Sequence, residues 1–170
     1  MQAVRLIRID QTLSAALDRG ADEFRAGYWG DVGVHLELMR QVVGQTLALV
    51  AAVPRPAVWG GYLAVDRQSA SVVGSCAFKA GPTPEGSVEI AYFTFPGFEG
   101  QGYATAMAQA LIAVASLSPA VRRVVAHTLP ETSPSTSVME KVGMQLIGEV
   151  YDPEDGNVWE WQYLTHTPIP

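Results

Sequence analysis

The pattern of apolar positions is most informative between residues 87 and 105, which read SVEIAYFTFPGFEGQGYAT. Up to Phe95, both alternating sets of positions are largely apolar, and this predicts a strand that is buried on both faces. Pro96 ends the strand because its nitrogen carries no hydrogen for the ladder. Three of the next six residues are glycines, and an apolar helical run opens at Ala104. The stretch therefore predicts a strand, a glycine-rich turn and the start of a helix.

Apolar periodicity along the rest of the chain predicts further strands and helices. The strands are expected at 4–9, 59–65, 71–78, 122–128, 145–151 and 157–164, and the helices before Gly20 and at 32–52, 102–117 and 134–143. Residues 21–31 are expected to form a loop that exposes Tyr28 and Trp29.

The order of these elements predicts the fold class, an α/β domain with a mixed sheet of about seven strands and helices on both faces. A helix crosses over between the strand at 87–95 and the strand at 122–128, so these two strands are expected to be parallel. We expect a single domain over residues 1–166 and a frayed tail at 167–170.

Composition and charge narrow the class of partner. The 170 residues are 48% hydrophobic and only 16% charged, which is typical of a globular chain with a full core. The net charge of −6 disfavours nucleic acid and anionic membranes as partners. No apolar run reaches membrane-spanning length, and Arg5 and Arg8 interrupt the first one, so no signal peptide is expected. The single cysteine, Cys76, fits a cytoplasmic location and leaves no cysteine-rich metal site; it alternates with apolar residues and is expected in the core.

The strand, glycine turn and helix start also predict an anion site. The first N–H groups of a helix lack intrahelical partners and carry partial positive charge, and glycines let a phosphate approach the backbone. A P-loop is excluded because no Gly-Lys-Ser/Thr occurs, and Thr105 stands where the dinucleotide fingerprint requires glycine. A tight turn without a ligand remains the alternative for a bare G-x-G.

Two motifs in order resemble those of the GNAT family of N-acetyltransferases. The first, residues 99–104, resembles the family's acyl-CoA loop, Arg/Gln-x-x-Gly-x-Gly/Ala, with Glu99 in place of Arg or Gln. The second, residues 122–144, resembles the family's next strand and helix; Ser135 matches the branch of ribosomal-protein acetyltransferases (RimJ/RimL type). In the second motif Thr132 replaces the usual Asn, and Met139 stands where many relatives carry a catalytic Tyr.

The resemblance implies the acyl-CoA N-acyltransferase fold, a mostly antiparallel sheet, and acetyl-CoA as cosubstrate. In that fold the central strand and the next one splay apart, and the pantetheine arm pairs with the freed backbone. The implied cosubstrate-binding residues are Phe93, Thr94, Phe95, Gly100, Gln101, Gly102, Tyr103, Ala104, Thr105 and Ser135. No metal is implied.

The resemblance also implies direct attack of an amine on the thioester, which requires a base and a proton donor. Glu89 is the first candidate for the base, since an apolar strand face would raise the pKa of its carboxyl; a solvated Glu at a strand start is the alternative. His127 is the second candidate. Ser135 is the candidate donor to the thiolate, and its alternative is a helix cap.

The acceptor is expected to be a primary amine on a small molecule or a peptide N-terminus. Aromatic side chains suit an ammonium group, and Tyr28, Trp29, Trp59 and Trp159 are candidates, with ordinary packing as the alternative for each. A CoA-binding or metabolite-sensing module of the same fold is the alternative function. The oligomeric state is left open, with a homodimer among the alternatives.

Overall fold

Seven strands form one sheet in the order β1-β2-β3-β4-β5-β7-β6. The computed structural model describes residues 2–165. The strands are β1 (Val4–Arg8), β2 (Gly61–Asp66), β3 (Val72–Phe78), β4 (Ser87–Thr94), β5 (Arg123–Thr128), β6 (Gln145–Asp152) and β7 (Gly156–Leu164). The helices are α1 (Gln11–Arg19), α2 (Ala21–Tyr28), α3 (Leu36–Ala52), α4 (Tyr103–Ser116) and α5 (Pro134–Lys141). Neighbouring strands are antiparallel except β4 and β5, which are parallel as the crossover helix predicts.

The two faces of the sheet carry separate hydrophobic cores. Adjacent residues of β2 point to opposite faces, so Leu63 packs in one core and Ala64 in the other. Helices α1, α2 and α3 cover the face of Leu63, and α4 and α5 cover the face of Ala64. The fold is thus the single α/β domain with helices on both faces that the sequence predicts, and the predicted tail at 167–170 lies outside the described residues.

The parallel pair β4–β5 is short, and this positions the site. Ser87, Val88 and Glu89 pair with Arg123, Val124 and Val125, and the described residues form no pair of these strands beyond Glu89. On its other side β4 stays paired with β3 as far as Thr94. The second half of β4 therefore has one backbone edge turned toward a gap in the sheet.

The expectation of a loop at residues 21–31 is wrong, because most of this stretch is the helix α2. Phe24 is fully buried and anchors the helix in the core, while Asp22 and Glu23 lie in the first turn, where acidic groups favour a helix. Trp29 ends the helix with a left-handed backbone, φ 57°. Helix α3 begins at Leu36, later than the expected residue 32.

Among residues 2–165, no helix has the length and apolar character needed to cross a membrane.

The core around α4 predicts a measurable stability difference between two leucines. Leu111 is fully buried, whereas Leu117, just past the end of the helix, is exposed. We expect Leu111→Ala to lower the free energy of unfolding by about 2–5 kcal/mol, because it leaves a cavity in a packed core. Leu117→Ala should change it by less than about 0.5 kcal/mol. Chemical denaturation of both variants checks this, and equal losses would contradict the assigned core.

Candidate active site

The turn after β4 presents backbone N–H groups at the start of α4. Gly100 and Gly102 have φ of +70° and +90°, left-handed conformations that favour glycine. Gly102 is the residue preceding α4, and no side chain caps its N–H groups. Since an uncapped helix start carries partial positive charge, this turn suits a pyrophosphate.

A groove of about 620 Å³ runs from this turn along β4 to the start of α5. Its lining includes most of the predicted cosubstrate-binding residues: Phe93, Thr94, Gly100, Gly102, Tyr103, Ala104, Thr105 and Ser135. Phe95 is different, because its side chain is completely buried in the core under α3 and so cannot form a wall of the groove. The side chain of Gln101 turns back and donates to the carbonyl of Gly97, 3.0 Å away.

The carboxylate of Glu99 has a hydrogen-bond partner within the turn. Its carboxylate accepts a hydrogen bond from the N–H of Gly97 at 2.7 Å and so closes the turn on itself. The acidic residue that departs from the family motif thus stabilises the loop that carries the motif.

The groove leads to the gap between β4 and β5. A cavity of about 310 Å³ occupies this gap, and Tyr92 and Ser135 line both it and the groove. The other residues of the cavity wall are Lys79, Glu89, Ile90, Ala91, Ala126, His127, Met139 and Asp155. A cosubstrate with its phosphates at α4 would therefore have its acyl end within reach of Glu89 and His127.

The side chains of Lys79, Glu89 and His127 line this cavity together, and Glu160 contacts His127 from the neighbouring cleft. The Oε1 atom of Glu89 lies 2.8 Å from Nζ of Lys79 and 2.9 Å from Nδ1 of His127. On its other side, Nε2 of His127 lies 3.3 Å from Oε2 of Glu160. The strand register explains the cluster. His127 is directly opposite Glu160, and Val125, the partner of Glu89, is two residues before His127 and so lies on the same face.

The surroundings of Glu89 differ from the expected apolar face. Glu89 is half-buried and already has two polar partners, Lys79 and His127, so the apolar environment inferred from its strand was wrong. Although partial burial opposes it, the bond to Glu89 raises the pKa of Lys79, so that this ammonium stays charged. Lys79 therefore fixes the carboxylate and is no base.

The imidazole of His127 lies between two carboxylates. A neutral imidazole has a single N–H and can donate to only one of them, whereas an imidazolium donates to both Glu89 and Glu160. A proton on Glu89 can therefore pass to His127, whose other ring nitrogen lies beside the second carboxylate, Glu160. The arrangement suits transport of a proton away from the cavity.

Ser135 is available for chemistry because another serine caps its helix. Ser133 accepts the N–H of Thr136 at 3.3 Å, and the Thr136 hydroxyl in turn accepts the N–H of Ser133 at 2.9 Å. The helix-cap alternative for Ser135 therefore does not hold. Ser135 is exposed and lines both the groove and the cavity.

Tyr92 is a site residue that the sequence analysis did not select. It lies on the face of β4 opposite to Glu89, toward α5, and its phenol is beside the Ser135 hydroxyl. Burial raises the pKa of Tyr92, and the nearby Ser135 hydroxyl offsets part of that increase. Met139, which stands where many relatives carry a catalytic Tyr, lines the same cavity as Tyr92. Tyr92 therefore provides a phenol in the cavity from which Met139 removes the family's usual one. The alternation of residues around Glu89 could have indicated that Tyr92 lies on the other face of the strand. The sequence does not show where β4 and β5 separate.

The aromatic candidates for an acceptor pocket lie elsewhere. Trp29 is two residues before Asp31, which forms a β-bridge with Ser71 just before the start of β3. Lys79 of the cavity follows the other end of that strand, so Trp29 is near the opposite end of β3. Tyr28 stacks on Phe24, and neither Tyr28 nor Trp29 lines the cavity. Two other aromatics pack as ordinary core residues, Trp59 against Phe78 and Trp159 against the α4 core.

Residues 28–145 match the family model described as an acetyltransferase (GNAT) domain. The match covers more than half of the chain, so the chain belongs to the GNAT acetyltransferase family, whose members use acetyl-CoA as acetyl donor. The protein is therefore an acetyl-CoA-dependent acetyltransferase. No curated protein matches the chain.

Several solved structures share the fold of this chain. A GNAT-family acetyltransferase from Bacillus anthracis is 20% identical, with a TM-score of 0.63 over 97% of this chain and 99% of that one. RimL, a ribosomal L7/L12 α-N-protein acetyltransferase in complex with coenzyme A, is 18% identical, with a TM-score of 0.64 over 95% and 94%. The microcin C7 self-immunity acetyltransferase MccE, in complex with acetyl-CoA and AMP, is 12% identical, with a TM-score of 0.64 over 95% and 92%. At these identities the likeness concerns the fold.

The glycine turn yields a prediction with a matched control. Gly97 and Gly102 have nearly equal φ, +88° and +90°, so a valine at either position carries the same backbone strain. Only Gly102 of these two lines the described groove. We expect Gly102→Val to weaken CoA binding roughly tenfold or more, about 1.4 kcal/mol, and Gly97→Val to leave it nearly unchanged. Calorimetric titration of the folded variants with CoA checks this; equal affinities would contradict the site.

Proposed function

We propose that the protein transfers the acetyl group of acetyl-CoA directly to a primary amine of a small molecule or of a peptide N-terminus. One observation carries the proposal: the groove from the α4 start opens into the cavity that Glu89, His127, Tyr92 and Ser135 line. A base and a proton donor are thus held on opposite faces of one gap. The cavity faces carboxylates, which suits an acceptor that arrives as an ammonium ion.

The proposed pose of acetyl-CoA follows from two features. Its phosphates bind the N–H groups of Gly102 to Thr105, and its pantetheine arm pairs with the free edge of β4 beyond Glu89. This pose brings the thioester into the gap. The single cysteine, Cys76, is buried, and burial raises the pKa of its thiol to about 12, so an acetyl-cysteine intermediate is disfavoured. We infer a cytoplasmic location, where such a thiol stays reduced.

We propose Glu89 as the base that accepts the proton of the acceptor ammonium, directly or through water. Lys79 holds the carboxylate in place, and His127 links it to Glu160, which also borders the open cleft beside β5. The proton then has a path toward solvent. The neutral amine attacks the thioester carbon, forming the C–N bond and turning the carbonyl oxygen into an oxyanion. The nitrogen then loses its second proton to water as the tetrahedral intermediate collapses to the amide.

Collapse of the tetrahedral intermediate breaks the C–S bond, and the departing thiolate needs a proton. We propose that Ser135 delivers it, that Tyr92 supplies it to Ser135, and that water returns a proton to Tyr92 when CoA leaves. The pair fits because the two hydroxyl groups are neighbours at the junction of groove and cavity.

The base assignment predicts a loss of turnover without a loss of cosubstrate. Glu89→Gln keeps the size of the side chain but removes its basicity, so kcat should fall roughly a hundredfold or more. CoA affinity should stay within about twofold, because Glu89 does not line the groove. Steady-state assays of thiol release and CoA titration check both. Full turnover in Glu89→Gln, with its loss in His127→Ala, would move the base to His127.

The proton-donor assignment predicts non-additive losses. Ser135→Ala and Tyr92→Phe should each lower kcat roughly tenfold to a hundredfold. If both serve one proton path, the double variant should be no slower than the slower single variant. Tyr62→Phe is the matched control, since Tyr62 lies on the same face and its hydroxyl donates to the carbonyl of Val58, 2.7 Å away. Multiplicative losses would contradict a shared path.

A further inference from the structure

A row of very small residues crosses the sheet beside the active-site cavity. Gly61 lies opposite Ala77 on the next strand, and Ala77 lies opposite Ala91. All three are on the face of Glu89, because Ala91 is two residues beyond Glu89 on β4. Two residues further along each strand, the same face carries Leu63 and Phe93. Thr46 of α3 packs onto Gly61, and a depression in the sheet surface lies over Ala77 and Ala91.

The end of α3 and the β6–β7 turn enclose this depression. The resulting cavity has about 400 Å³, with Leu49 and Val53 of the α3 end as walls and Glu154 of the turn at its rim. Leu49 and Val53 are 67% and 58% exposed, which is unusual for large apolar side chains that face one cavity.

The cavity is continuous with the site of the reaction. Lys79 and Ala91 line both this cavity and the one that holds Glu89 and His127. The second cavity does not overlap the cosubstrate groove, since they share no lining residue. A molecule that places an amine at Glu89 can therefore extend into it while acetyl-CoA is bound.

The charges around the two cavities differ, so each cavity favours a different end of such a molecule. At the reaction cavity, Asp155 and Glu89 provide carboxylates for one ammonium group. At the second cavity, Lys79 and the guanidinium of Arg55 are at the rim, and the Nε atom of Arg55 is buried without a hydrogen-bond partner. A second ammonium group would meet these two cations against the one carboxylate of the lining, Glu154, whereas an apolar group would cover Leu49 and Val53.

We propose that this cavity binds the apolar substituent of the acceptor. The acceptor class is then a monoamine with one aromatic or branched aliphatic group a few bonds from its primary nitrogen. Such a group occurs on a free amine or on the first residue of a peptide. The inference rests on the proposed function, because it takes the amine to react at Glu89.

The test compares acetyl transfer to four acceptors by kcat/KM: 2-phenylethylamine, a peptide amide beginning with Phe-Gly, methylamine and 1,4-diaminobutane. We expect at least one of the two phenyl-bearing acceptors to exceed both of the others roughly tenfold or more, about 1.4 kcal/mol. A preference between the amine and the peptide then identifies which source the site takes.

Two variants connect that preference to the cavity. Ala77→Leu fills the cavity from its floor at a residue that does not itself line the reaction cavity, and Leu49→Ser makes its exposed wall polar. Each should raise KM for the preferred phenyl-bearing acceptor several-fold and leave methylamine turnover and CoA affinity unchanged. Ala51→Leu is the matched control, since Ala51 is exposed on α3 and does not line the cavity.

The outcomes separate the inference from the proposed function. Equal rates with all four acceptors, or a preference for the diamine, would overturn the inference and leave acetyl transfer intact. An apolar preference that both variants retain would also overturn it. Transfer to none of the amines, despite tight CoA binding, would contradict the proposed function itself.

Discussion

The early separation of two parallel strands is the constraint on which the site depends. Strands β4 and β5 pair over three residues each and then part, although β4 continues to Thr94 on its other edge. The separation leaves one backbone edge of β4 unpaired with β5, where we propose that the pantetheine arm binds, and side chains from both faces line the cavity in the gap. Glu89 is on one face of this gap, and Tyr92 with Ser135 is on the other. Continued pairing of the two strands would close the cavity and part the base from the proton donor.

The departures from the family motifs have physical accounts in the fold. Glu99 lines the groove, and its carboxylate accepts the N–H of Gly97, so it stabilises the turn that carries the motif. Met139 is buried and lines the reaction cavity, and Tyr92 lines the same cavity. Ser133 and Thr136 cap α5 reciprocally, which leaves Ser135 for the cosubstrate. These contacts favour an active enzyme over a CoA-binding module.

Short-range sequence features made much of the fold predictable, whereas contacts between residues far apart in the sequence could not be predicted. The alternation in β4, Pro96 and the glycines are short-range features, and they indicated the strand, the turn and α4. Helix α2 was missed because its packing relies on one residue, Phe24, within a polar stretch. The partners of Glu89 depend on strand register, which the sequence does not display. Lys79 and Glu160 therefore came from the structure, as did the contact of Glu89 with His127, which the sequence indicated only as a second candidate for the base. The small row of Gly61, Ala77 and Ala91 also exists only through register.

Direct transfer within one gap is the central claim, and the order of substrate binding and product release tests it most directly. Initial rates are measured while acetyl-CoA and the acceptor amine are varied together, and the enzyme is incubated with acetyl-CoA alone and weighed by mass spectrometry. The account predicts intersecting double-reciprocal lines, which require both substrates on the enzyme at once, and no acetylated enzyme. Parallel lines with a stable gain of one acetyl group would show a covalent intermediate and contradict the account.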